Sequence, residues 1–321
     1  MKDKIMTGGL TDIEGIKVGV VSNNEAATGL TVVLVEEGAR AAVEVRGSAP
    51  GTRETDLLVP GRLVQSVQAI MLSGGSAFGL DAASGVVRYL EEHEKGFPVG
   101  GIRVPIVPAA VIFDLFLGDG TVRPDTEMGY QACVVATAGP VPEGSVGAGT
   151  GATVAKYYGM PGAVKSGQGS AAVCSGPLIV AALVIVNAFG DIYDRNGRLL
   201  AGPRNPGSGS MENTAELLKK TGAVGSGDNT TLAAVATNAS LDGPALTKVC
   251  QLAHDGFARS IWPVHTMWDG DTVFAISEGN LSADVSLVGI MAAEAVSMAI
   301  ERAVQKASSL LGIPALCDLA E

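Results

Sequence analysis

Short apolar, β-branched stretches dominate the first quarter of the chain, at residues 17–21, 30–36, 40–46 and 68–72. Asn, Gly and charged residues separate them, the pattern of strands joined by tight connections. Residues 73–81, Ser-Gly-Gly-Ser-Ala-Phe-Gly-Leu-Asp, then open a helix predicted to run to about His93. A long strand is predicted over 102–115, a glycine-rich loop over 145–152 and a buried strand over 178–189. The stretch 202–228 is polar and rich in Gly, Ser, Pro and Asn, with a short helical patch at 212–220, and reads as an exposed loop. Beyond it come a strand from Thr230 to Thr237, a helix over 244–260, a strand over 272–278 and a long helix from Ser286 to about Leu311. In that last helix Glu294, Glu301, Arg302 and Lys306 concentrate towards one side, so most of its circumference should be covered. Strands come in groups followed by long helices, without internal repeat or strict alternation. That order argues for α+β layers, with helices over mainly antiparallel or mixed sheets.

Composition sharpens this picture. The 321 residues include 43 glycines, and aromatics make up only 4%, which favours close-packed strands over a helical bundle. With 47% apolar and 17% charged residues, the chain is expected to hide further surface in a homo-oligomer. The formal net charge of −11 and the lack of a basic stripe argue against nucleic acid and against anionic membranes. The apolar run 177–189 is too short to span a bilayer, and Met1-Lys2-Asp3-Lys4 leads into no stretch of signal length, so a cytoplasmic location is expected. Cys133, Cys174, Cys250 and Cys317 are widely spaced and read as small buried hydrophobes.

Several motifs fail. Gly147-Ala148-Gly149-Thr150-Gly151 lacks the spacing and the acidic residue of a dinucleotide fingerprint. Gly74-Gly75-Ser76-Ala77-Phe78-Gly79 has no Lys-Ser or Lys-Thr after it, and Phe78 occupies the second glycine position of a nucleophile elbow. Both are close-approach turns that could also line a site, which makes Ser76 and Phe78, with Phe113, candidates for a substrate pocket. His93, His254 and His265 stand too far apart in sequence for a zinc motif, so neither a metal nor a cofactor is expected. His93 and His254 read as helix-face residues.

Two places carry chemistry. At Asn229-Thr230 a polar loop meets an apolar strand. This is either a turn before a Thr-rich strand or a cleavage point that leaves a threonine with a nucleophilic hydroxyl and its own α-amine base. The glycines ahead of it, Gly225 and Gly227, would permit the backbone such a cleavage needs. At Asp269-Gly270-Asp271, alternation on an extended chain points both carboxylates to one side. The same tripeptide is also a common turn and an occasional cation site.

Together with the block 74–81, the block 147–152, Asn187-Ala188-Phe189-Gly190-Asp191 and the segment 265–272, the Asn229-Thr230 pair resembles the DmpA-type family of self-cleaving aminopeptidases and amidases. Within it the chain is most similar to the threonine-using nylon-oligomer hydrolases. The resemblance implies a four-layer helix–sheet–sheet–helix sandwich, similar in layering to the N-terminal nucleophile hydrolases. It implies one domain, 1–321, cut into an α-fragment 1–229 and a β-fragment 230–321, and a homotetramer. By the same resemblance Thr230 is the nucleophile, Asp269 and Asp271 are an acidic pair beside it, Asn187 is an oxyanion donor, and Lys156 stands near the nucleophile. Phe113 replaces a tyrosine of some relatives, so no phenolic hydroxyl is available there. The expected substrates are short peptides or amino-acid amides, with 6-aminohexanoate oligomers as a further class. An acyltransferase of the ornithine acetyltransferase type is the enzymatic alternative, and an uncleaved binding scaffold the non-enzymatic one.

Overall fold

A computed structural model describes residues 8–222 and 228–319. Met1-Lys2-Asp3-Lys4, Gly225 and Gly227 lie outside the described residues. The main sheet has nine strands: β1 (Lys17–Asn23), β2 (Thr28–Val45), β3 (Thr52–Arg53), β4 (Ser66–Ser73), β5 (Ala109–Val111), β6 (Gln168–Ser175), β7 (Leu178–Asn187), β8 (Thr230–Ala239) and β9 (Thr272–Leu281). They run in the order β6-β7-β8-β9-β2-β4-β5-β3, with β1 on the free side of β2. All pairings are antiparallel except β8 with β9 and β4 with β5.

The long strand β2 makes two layers from one sheet. Its first half pairs with β1 and β4, Leu30 opposite Ser73 and Leu34 opposite Ala69. Its second half pairs with β9, from Arg40 opposite Ser277 to Val45 opposite Thr272. Between the halves the register slips, at Leu34 to Ala39, and Gly38 takes a φ of +88°. Such a slip bends a strand and lets it pass from one layer to the next. Sequence reading gave two strands here because the polar pair Glu36-Glu37 and Gly38 interrupt the apolar run.

Side-chain alternation sorts the core into three slabs. Val180, Ala182, Val184, Ala233, Val235, Val273 and Ala275 face helices α4 (Gly243–Ser260) and α5 (Val285–Gln305). The residues between them, Leu183, Ile185, Leu232, Ala234, Phe274 and Ile276, turn inward to meet Val33, Ile70, Leu72 and Ile112. Leu30, Val32, Leu34, Ala69 and Met71 face the opposite helices, α1 (Ala82–Glu92) and α2 (Thr126–Val134). The product is the expected helix–sheet–sheet–helix sandwich. With both sheet faces covered, strands read as continuous apolar runs. Helix starts are set by side chains: Asp125 accepts from Met128 N–H, Asp242 from Ala245 N–H and Asp284 from Leu287 N–H.

Several predicted elements change. The single strand over 102–115 is two pieces, because Pro105 and Pro108 cannot donate to a ladder. Ile102–Val104 forms an exposed hairpin with Phe97–Val99, and only β5 joins the sheet. Strand β6 went unread because Gly169, Ser170, Ala171 and Ala172 are small. A side chain at Gly169 would come within 2.0 Å of the Ala299 carbonyl oxygen, so smallness is what lets α5 sit down on this strand. The final helix stops at Gln305, short of Leu311. The polar stretch from Gly202 contains helix α3 (Thr214–Thr221), close to the predicted patch. Cys133 and Cys250 are buried as expected, whereas Cys174 and Cys317 are exposed.

Candidate functional site

Strand β8 begins at Thr230, directly opposite Asn187, the last residue of β7. Thr230 is buried, and its hydroxyl donates to the Asn229 carbonyl oxygen at 2.5 Å. The same oxygen accepts the Gly270 N–H at 2.9 Å. Asn229 bridges Asp269 in parallel fashion, which sets the Asp269-Gly270-Asp271 segment alongside the start of β8. Gly270 is glycine for a steric reason: a Cβ there would stand 2.7 Å from Thr230 Oγ1 and 2.6 Å from the Ala49 carbonyl oxygen. On the far side, Arg46 and Gly47 N–H donate to the Asp271 carbonyl and Ala49 N–H to that of Asp269. A Cβ on Gly47 would collide with Asp271 N at 2.2 Å.

The two carboxylates have separate partners. Asp271 accepts from Thr231 N–H at 2.7 Å through Oδ1, and from His265 N–H (3.1 Å) and His265 Nδ1 (2.7 Å) through Oδ2. Asp269 accepts from Thr266 N–H (3.0 Å) and Thr266 Oγ1 (2.5 Å), and more distantly from Phe189 N–H (3.4 Å). Burial first, and then the charge of Asp271, push the Asp269 carboxyl above its usual range.

On the other flank, Asn187 Oδ1 accepts from Thr153 N–H (3.1 Å) and Lys156 Nζ (2.8 Å). Both partners are pure donors, which fixes the amide the other way round. Its Nδ2 therefore donates to the Phe113 carbonyl at 3.0 Å and faces the Asp228 carbonyl at 3.4 Å. Lys156 is not a surface lysine. It is buried, and also reaches the carbonyls of Asp228 (3.3 Å) and Asn187 (3.4 Å). Burial lowers its ammonium to about 8, against the pull of Asp228, Asp269 and Asp114. Asp114, raised to about 6 by burial, accepts from Gly75 N–H and the Thr28 hydroxyl, both at 2.7 Å. Phe113, Asp114, Thr153, Lys156 and Asp228 line a narrow cavity of about 10 Å³, together with the apolar Phe116, Leu117 and Met160.

The structure thus gathers Thr230, Asn229, Asp269, Asp271, Asn187 and Lys156 around one peptide group, with Phe113 at the neighbouring cavity. Ser76 and Phe78 are not among the residues that line that cavity. Ser76 opens a short 3-10 helix, its N–H donating to the Ile112 carbonyl, and the exposed Phe78 ring lies beneath the Arg123 guanidinium at 3.7 Å. Sequence reading left His265, Gly47 and Asp114 without roles. For Asp114 the available signal was an acid inside an apolar stretch directly after Phe113. His254 lies on α4, on its buried face. Among the described residues no group of three or more His, Cys, Asp and Glu is placed to hold a metal ion, and no helix is long and apolar enough to cross a membrane.

Comparison with known proteins fits this geometry. An uncharacterized aminopeptidase of Mycobacterium leprae is 41% identical over 97% of this chain and 93% of its own length. A 6-aminohexanoate-oligomer endohydrolase of Kocuria sp. is 33% identical over 88% of this chain and 82% of its own. Among solved structures, the L-aminopeptidase D-Ala-esterase/amidase of Ochrobactrum anthropi, described as a variant of the Ntn hydrolase fold, superposes with a TM-score of 0.71 at 18% identity. That match covers 94% of this chain and 86% of the other. A Burkholderia β-aminopeptidase gives 0.68 at 22% identity, over 96% and 89%. These matches do not support the acyltransferase alternative. The chain matches peptidase family S58 over residues 8–315, and it is therefore a member of that family and a hydrolase of amide or peptide bonds.

Proposed function

We propose that this hydrolase processes itself between Asn229 and Thr230 and then uses Thr230 as an N-terminal nucleophile. One observation carries the reading. The Thr230 hydroxyl and the Gly270 N–H both meet the carbonyl oxygen of the peptide group to be cut. In the self-cleavage step Thr230 Oγ1 bonds to the Asn229 carbonyl carbon while the Asn229–Thr230 C–N bond breaks. The hydroxyl proton passes to the departing nitrogen. Water then opens the resulting ester, its hydroxide going to the new Asn229 carboxyl and its proton restoring the Thr230 hydroxyl. A donor already aimed at the oxygen that gains charge is the most effective electrostatic aid to such a step. Gly270 N–H supplies it.

Cleavage frees an α-amine with an ordinary pKa of about 7.7–8.0, suited to take the hydroxyl proton during turnover. Asp269 and Asp271 hold it in place and favour its protonated form. Asn187 Nδ2, locked in direction by Thr153 and Lys156, is the donor for the oxyanion formed from substrate. Fragments 1–229 and 230–321 stay together as one domain because β8 pairs with β7 and β9 with β2, each joining a strand of the second fragment to one of the first. The substrates of this reading are short peptides and amino-acid amides. The similarity to the oligomer endohydrolases supports 6-aminohexanoate oligomers as a further class. A homotetramer belongs to the same proposal, with exposed Val134, Val135, Leu287 and Ile290 as side chains it would cover.

Thr230→Ala tests the nucleophile. It is expected to remain one full-length chain and to release no p-nitroaniline from amino-acid p-nitroanilides. Hydrolysis by that variant would assign the nucleophile to another group.

A further inference from the structure

His265 sits beside the reacting strand without a part in the chemistry above. Its residue conformation is unusual, with φ at +55°, in a region that non-glycine residues other than Asn, Asp and His rarely occupy. Among the described residues, two of the three hydrogen bonds to the Asp271 carboxylate come from this one residue, the backbone N–H and Nδ1, and both reach Oδ2. The remaining oxygen, Oδ1, is left to the Thr231 N–H, one residue beyond the nucleophile. Asp271 is almost completely buried, so it has no solvent to replace a lost donor.

The ring is held from behind. His254 and Phe257, one helical turn apart on α4, pack against it with centroids 4.8 Å and 6.0 Å away. His254 is itself anchored through Nε2 to the Glu44 carbonyl at 3.1 Å, and burial keeps it neutral, with a pKa pushed down to about 3. Since an ionised carboxylate only accepts, His265 carries its proton on Nδ1. Its Nε2 is buried and has no hydrogen-bond partner among the described residues. Among the described residues the ring thus has one polar contact, Asp271.

We propose that His265 is a positioning residue, through which helix α4 fixes the Asp271 carboxylate against the first residues of β8. This inference rests on the threonine-nucleophile reading. Asp271 orients the start of β8 only while Oδ2 is tethered; released, the carboxylate rotates and both self-cleavage and turnover slow.

The test compares His265→Ala with His265→Asn in the full-length chain. Asparagine tolerates the left-handed backbone and places an N–H donor near the position of Nδ1. Self-cleavage is followed by denaturing electrophoresis, and kcat and KM are measured separately on an amino-acid p-nitroanilide. Hydrogen bonds to charged groups are among the stronger ones, so His265→Ala is expected to lower the cleavage rate and kcat by roughly 10- to 100-fold. KM should stay within about twofold, and His265→Asn should recover most of the loss. A thermal melt of both variants separates this from unfolding, because a structural role alone would lower Tm and the active fraction without a kcat-specific effect that asparagine repairs. Wild-type rates in His265→Ala, or an asparagine variant that melts like wild type yet is no faster than alanine, would overturn the inference. Those outcomes leave the nucleophile standing, whereas hydrolysis by Thr230→Ala would remove both.

Discussion

Replacing Lys156 with methionine should make the protein more stable at neutral pH and less active. A tenfold change in proton affinity is worth about 1.4 kcal/mol, so moving an ammonium from 10.5 to about 8 costs the folded state about 3 kcal/mol at pH 7. The sign follows from which state binds the extra proton. The folded value lies below the unfolded one, so the penalty is complete below about pH 8, fades as pH rises towards 10.5 and has fallen to about 1 kcal/mol by pH 10. Methionine has nearly the same length and removes the buried charge. It also removes the donor to Asn187 Oδ1, which keeps Thr153 N–H, and the longer bonds to the Asn187 and Asp228 carbonyls. Those losses amount to about 1–2 kcal/mol. Lys156→Met should therefore gain about 1–2 kcal/mol at pH 7 and lose that advantage by pH 10. The assay is urea unfolding at pH 7 to 10 in a Thr230→Ala background, which keeps a single continuous chain under comparison. A methionine variant that is less stable at pH 7, or a difference that does not change with pH, would refute the reasoning. Activity in the otherwise wild-type chain should fall, because Asn187 loses one of two groups that hold its amide in direction.

If Asn187 is the proposed oxyanion donor, Asn187→Ala should lower kcat by about 10²–10³-fold without abolishing it, measured on an amino-acid p-nitroanilide; an unchanged kcat would exclude that role. Gly270→Ala forces a methyl to within 2.7 Å of Thr230 Oγ1 and 2.6 Å of the Ala49 oxygen. It should therefore block or greatly slow self-cleavage and cost about 1–3 kcal/mol in an unfolding titration. Normal processing in that variant would show that Gly270 does not crowd the nucleophile.

Much of the layering was legible because it is written in short-range patterns. Both sheet faces are covered, so β7 and β8 read as apolar runs, and α4 and α5 begin within a residue of the predicted starts, at Gly243 and Val285. The closeness of Thr230 to the Asp269-Gly270-Asp271 segment was legible through the resemblance carried by their motifs. What stayed hidden depends on contacts far apart in sequence. The continuity of β2 across Glu36-Glu37-Gly38 rests on partners in β4 and β9. The small residues of β6 make sense only with α5 packed on them. Nothing local to Lys156 announces its burial or its bond to Asn187, 31 residues away. His265 was noticed for its place in the acidic segment, yet its bond to Asp271 needs the turn at Gly270 and the ring of His254 from a distant helix.

Sequencing the N-terminus of the smaller band from purified, active protein tests the central claim most directly. The account predicts two bands, the smaller beginning Thr-Thr-Leu-Ala at residue 230. Active enzyme whose chain runs unbroken from Asn229 into Thr230, or a fragment that begins elsewhere, would contradict it.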